Sequence, residues 1–154
     1  MTFVNLDYME SANDVFGEGY NCAQSMIYAY GKAFFEKESL PLKLASGFGG
    51  GIASTGQTCG AVTGSLMVLG LYFGYADAND QSQKEKVKSI AREFMDAFEA
   101  RQGALRCCDL LGADVNTQEG KDYIREHGVI DKTCPQLIKD ASEILEKLIA
   151  RYRV

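Results

Sequence analysis

Five cysteines and a single histidine carry most of the chemistry open to this 154-residue chain. Cys22, Cys59 and Cys134 each follow a residue suited to cap a helix, namely Asn21, Thr58 and Thr133. A helix start gathers free backbone N–H groups and the positive end of the helix dipole, and both favour a thiolate over a thiol. The thiolate is the form that attacks disulfides and binds metals. Cys107 and Cys108 are adjacent and precede "DLLG". Neighbours on a helix diverge by about 100°, so at most one of this pair is expected to face the same point as the other thiols. No C-x-x-C occurs, and the cysteine spacings match no short zinc or ferredoxin ligand run. Any common site must therefore be assembled by the fold. Cysteine is also a good small core residue, and that ordinary use stands as the alternative for each one.

The surroundings of Cys59, "STGQTCGAVTGSLMVLG", hold unusually small side chains. Gly60 and Gly64 are four residues apart and share one helix face. Either a second helix or a sulfur-bound group can approach the backbone closely there. "GFGGG" at 47–51 lacks the Lys and Ser/Thr of a phosphate loop and the strand that precedes a dinucleotide site, so it reads as a turn able to line the thiols. His127, in "REHGV", reads as a surface residue near a helix C-terminus. Arg106 and Asp109 flank the cysteine pair as solvated charges, with Arg106 placed to help hold a thiolate. Tyr28, Tyr30, Phe34, Phe35, Tyr72, Phe73 and Tyr75 read as core.

The elements that would position these residues are helices. No segment alternates with period two, and no Asn-Gly or Asp-Gly hairpin signal occurs. The expected fold is a single all-α bundle spanning 1–154, with the glycine-rich helix buried at its centre. Helices are expected at about 5–16, 22–37, 40–47, 59–75, 81–101, 117–127 and 134–152, with one more short helix in "GALRCCDLLG" closed by Gly112. Thr58 and Thr133 are the expected N-caps of the central and last helices, and Pro135 fits the first turn of the last one.

The net charge of −5 and pI near 4.9 argue against nucleic acid as a partner, because phosphate neutralisation needs a basic face. Residues 44–76 carry no charge, but the purely apolar part, "LMVLGLYFGYA", is far shorter than the ~20 residues of a membrane span. No secretory leader pattern opens the chain, which points to the cytoplasm, where thiols stay reduced. An exposed glycine-rich face would suit a homodimer.

"CGAVTG", Cys59 to Gly64, resembles the core of a four-cysteine family known as C_GCAxxG_C_C, although the literal order GCAxxG does not occur. The wider order is similar too, with "GYNCAQS" before the core, "CCDLLG" after it and "TCPQLI" near the end. The likeness covers roughly 10–148. It implies a small helical protein taken to be redox-active through its cysteines. A related module in split-Soret cytochromes is associated with an iron–sulfur centre, and this chain has no C-x-x-C-H haem attachment motif. Carried over, the site cysteines are Cys22, Cys59, Cys108 and Cys134, with Cys107 as substitute and Gly60 and Gly64 beside the cofactor. Four readings follow. The first is an iron–sulfur cluster exchanging electrons with a redox partner protein of unknown identity. The second is a metal-free dithiol, Cys22 with Cys59. The third is a structural Cys₄ zinc site, and the fourth a partner-binding domain whose cysteines are core.

Overall fold

The computed structural model describes residues 5–153. Among them the helices run in the order α1 (Leu6–Gly17), α2 (Cys22–Gly31), α3 (Ser39–Leu44), α4 (Gly60–Phe73), α5 (Gln81–Gln102), α6 (Cys107–Leu111), α7 (Gln118–Glu126) and α8 (Val129–Tyr152). Short 3₁₀ turns at Lys32–Phe34 and Ser46–Phe48 flank α3, and no named strand is present among the described residues. The expected all-α bundle forms.

The helix α4 is apolar around its circumference, so it can only be stable when surrounded. It buries Val62, Val68, Leu69 and Phe73, and α2, α5 and α8 pack against it. Its buried hydroxyl, Ser65, donates to the Ala61 carbonyl at 2.7 Å. The glycines set how closely α2 approaches. A Cβ on Gly60 would stand 2.8 Å from the Ala23 nitrogen, and one on Gly64 would stand 2.7 Å from the Ala23 oxygen. The face that suggested a dimer is thus covered by α2 of the same chain. Around this pair, α5 contributes Ile90, Phe94 and Phe98, and α8 contributes Leu137, Ile138, Ala141 and Leu145. Each large apolar side chain so buried contributes about 1.5–3 kcal/mol. Glu146 is also buried: Tyr30 donates its hydroxyl proton to it at 2.6 Å, and the Asn5 N–H donates to its other oxygen.

Three boundaries differ from expectation. The helix α2 ends at Gly31 rather than near 37, where the weak helix propensity of glycine lets the chain tighten into a 3₁₀ turn. The N-cap of α4 is Cys59 itself, not Thr58, because Thr58 is drawn into an antiparallel bridge with Arg106. The last helix starts at Val129, five residues early. Gly128, in the left-handed conformation (φ 58°), turns the chain directly from α7 into α8. Thr133 and Cys134 therefore lie in the second turn, and Pro135 lies inside the helix. Its missing N–H frees the carbonyl of Asp131, an exposed residue that water can serve. Phe34 and Tyr75, expected in the core, are 48% and 49% exposed. Among the described residues no helix is long and apolar enough to cross a membrane.

Candidate functional site: a thiol-lined cavity

Four thiols from four helices line one cavity. Cys22, Cys59, Cys107 and Cys134 share it with Gly50, Gly51 and Gly60, and Phe16, Leu110, Leu111 and Leu137 close its apolar sides. Its volume is about 200 Å³, several times the ~30 Å³ of a water molecule. No charged side chain lines it, and all five cysteines are free.

Each thiol arrives by a different local device. Cys22 is the first residue of α2, behind a reciprocal cap in which Asn21 accepts from Gln24 N and Gln24 accepts from Asn21 N. Cys59 occupies the N-cap of α4, and Cys107 is the first residue of α6. These two are joined by a short antiparallel zipper. Cys59 N donates to Leu105 O at 2.8 Å, and Cys107 N donates to Gln57 O at 2.6 Å. Cys134 comes from the second turn of α8, on the same face as Leu137 and Ile138, rather than from a helix start.

The structure brings Cys107, not Cys108, to the other three. Cys108 is turned away into a shallow hollow with Thr55, Gln57 and Asn116, its Sγ 3.8 Å from Asp114 Oδ1. Helix geometry forces the choice: Cys107 shares its face with Leu110 and Leu111, and both line the cavity. Two glycines make room for the pair. A Cβ on Gly51 would stand 2.5 Å from Cys107 Cβ, and one on Gly56 would stand 1.9 Å from Cys108 Sγ. Gly60 lines the cavity, whereas Gly64 sits away from it against Ala23 and Met26. Arg106 and Asp109 lie beside Cys108, outside the cavity. His127 is exposed, with Nδ1 3.0 Å from the Tyr123 carbonyl.

Burial controls the thiols. It pushes Cys59 up to about 11, against the opposing pull of the Ala61 and Val62 amides. It pushes Cys107 up to about 12. The interaction of Cys22 with Cys134 raises Cys22, helped by burial, and lowers Cys134. The starts of α2 and α4 both reach this apolar space, so the field there favours an anion although no side chain is basic.

The loop that walls the cavity is strained. Gly50, Gly51, Ile52, Ala53 and Ser54 are consecutive and all have φ between 50° and 70°. Left-handed geometry costs a non-glycine residue about 1–2 kcal/mol, and it is most unusual for β-branched Ile52. Hydrogen bonds hold the turn, including Ala53 N to Gly47 O at 2.8 Å and Gln57 N to Gly51 O at 2.8 Å. The N–H of buried Gly51 finds no acceptor among the described residues. An orphaned buried donor costs about 1–3 kcal/mol and is rare in native proteins.

The donor set is all sulfur, which suits iron–sulfur chemistry. Among the described residues, however, no three Cys, His, Asp or Glu side chains converge closely enough to hold a single metal ion. A lone zinc needs four ligand atoms about 2.0–2.3 Å from one point. A polynuclear cluster takes its thiolates on different irons and fills a larger space, as this cavity offers. The residues fit the larger group better than the single ion.

No curated protein and no solved structure matches the chain. A family profile described as "Putative redox-active protein (C_GCAxxG_C_C)" matches residues 20–148, a span that holds all five cysteines and the whole cavity wall apart from Phe16. By that match across most of its length, the chain belongs to the C_GCAxxG_C_C family.

Proposed function

We propose that this protein transfers electrons through an iron–sulfur cluster held by Cys22, Cys59, Cys107 and Cys134. The observation that carries the reading is four thiols, on four separate helices, around one apolar cavity of about 200 Å³. When bound, such a cluster supplies one-electron exchange. The chain's own part is to hold four thiolates apart at fixed places and keep water out with Phe16, Leu110 and Leu137. The helix starts at Cys22 and Cys59 offset the negative charge of an all-thiolate site. Because burial keeps Cys59 and Cys107 protonated, loading must release their protons. The electron donor and acceptor are redox partners outside this chain.

The test is an anaerobic preparation analysed together for iron, zinc, acid-labile sulfide and free thiols. Wild type is expected to hold iron and sulfide in matching amounts. Cys107→Ala should lose both, and Cys108→Ala should keep both. A wild-type protein that takes up neither under reconstitution overturns the reading.

One observation favours a second reading. Cys22 and Cys134 line the same cavity and perturb each other's ionisation, so a metal-free dithiol would use this pair rather than Cys22 with Cys59. Oxidation would join the two sulfurs and release two protons and two electrons to an exchanging disulfide of another protein. It predicts two thiols lost on mild oxidation with no metal bound.

A further inference from the structure

We propose that the main-chain N–H of Gly51 donates a hydrogen bond to a sulfur of the bound cluster and raises its reduction potential. This rests on the cluster reading above and assigns a task to the strained turn. Along residues 52–57 every backbone N–H has a backbone acceptor. The carbonyl of Gly51 accepts twice, from Gln57 N at 2.8 Å and from Thr55 Oγ1 at 3.0 Å. The N–H groups of Gly49, Gly50 and Gly51 have no acceptor among the described residues, and of the three only Gly51 is buried, where it is part of the cavity lining. The rest of that lining offers mostly thiols and hydrocarbon, so a partner for the donor has to come from what the cavity holds.

The backbone around Gly51 is also held where no other residue fits. Its φ is +70°, and a Cβ would meet Cys107 Cβ at 2.5 Å and the Gln57 backbone at 2.6 Å. Five consecutive left-handed residues are an unfavourable way to build an ordinary surface loop. They hold the Gly51 backbone close against Cys107 at the cavity wall. Sulfides and thiolates of a cluster are anionic acceptors. A hydrogen bond to them favours the more negative, reduced state, which is how such bonds raise a potential.

Side-chain substitution cannot test a backbone donor, but the sequence allows a cleaner route. Cys59 follows Thr58, so a synthetic 1–58 peptide can be ligated to expressed residues 59–154 to give the full chain. One preparation carries nitrogen-15 at Gly51 alone. In the other, the Gly50–Gly51 amide is replaced by an ester, which removes the N–H and weakens the Gly50 carbonyl as acceptor for Gly56 N, so the nitrogen coupling in the amide protein is read beside the potential. Both are loaded anaerobically with iron and sulfide and assayed for both. Pulsed EPR of the reduced, labelled protein is expected to show hyperfine coupling to the Gly51 nitrogen. The loaded ester protein is expected to have a lower midpoint potential than the amide. A loaded amide protein without that coupling, or a loaded ester protein with an unchanged potential, overturns the donor role and leaves the cluster standing. An amide protein that binds no iron or sulfide overturns the cluster reading, and the donor role falls with it. If the ester protein alone fails to load, the coupling in the amide protein decides.

Discussion

Cys107 and Cys108 show how much one residue of register decides. They share a peptide bond and both are half-buried, yet one lines a cavity with three other thiols and the other faces Asp114 across a surface hollow. The reading that favoured Cys108 relied on its place next to "DLLG". The physical signal was the helix face, since Cys107, Leu110 and Leu111 lie on one side of a turn and Cys108 does not. Cys134 has the same lesson: its spacing to Leu137, Ile138 and Ala141 marks a mid-helix face, and the Thr-Cys-Pro triplet only imitates a helix start. Gly60 and Gly64 were legible as close-approach residues, though the approaching group is mainly α2. Gly64→Ala should isolate that role. The new Cβ would lie 2.7–2.9 Å from the Ala23 backbone and Met26 Cβ, none of them a flexible chain end. We expect a loss of about 1–3 kcal/mol in unfolding free energy, the usual cost of overpacking. Denaturant midpoints should fall while iron content per folded protein stays at the wild-type level. A variant as stable as wild type would show that α2 can back away freely.

At the scale of elements, what was readable followed the strength of local signals. The amphipathic stripes of α5 and α8 announced themselves at helical period, and Asn21 and Gly112 mark the start of α2 and the end of α6 as capping chemistry requires. The zipper of 57–59 with 105–107 was not readable, because so short an extended pairing has no periodicity to detect. Nor was the left-handed turn, since Ile52, Ala53 and Ser54 give no hint of positive φ. The link from α8 to α1 and α2 through Glu146 was equally hidden, and it makes a pH prediction. Burial raises the Glu146 carboxyl above its ordinary value, against the pull of the bonds from Tyr30 and Asn5. The folded chain therefore holds that proton more tightly than the unfolded one. Its contribution is fully present below the unfolded carboxyl value of about 4.3 and is lost as pH rises through the folded value. Glu146→Gln keeps a neutral acceptor for Tyr30 and cannot ionise. Melting temperatures of wild type minus variant, followed from pH 4 to 7, should fall as pH rises. A difference that stays flat or grows with pH would contradict the sign.

The whole molecule divides into a well-packed bundle and a thin wall. The bundle of α1, α2, α4, α5 and α8 buries the large side chains, Met26, Leu69, Phe94, Phe98, Ile138 and Leu145 among them. The wall is the loop at 49–58 together with α6, and its stability is of another kind. The helix α6 has five residues, against the ~12–15 an isolated helix needs. It is held by backbone bonds to the loop and by contacts with α8. Anything that binds only the assembled cavity stabilises the state in which the wall is closed. Under the cluster proposal, anaerobic removal of the cluster with a chelator should therefore loosen the wall first. Amide exchange over 49–58 and 105–111 should accelerate by about tenfold or more, some 1.4 kcal/mol of local opening free energy. The buried amides of α4, α5 and α8 should keep their wild-type protection. Parallel acceleration across all these helices would instead mean that the four thiolates hold the bundle itself together. The expected asymmetry follows from where the four cavity thiols sit. Cys22, Cys59 and Cys134 ride on long helices already fixed by the core, and only Cys107 depends on a segment too short to stand alone.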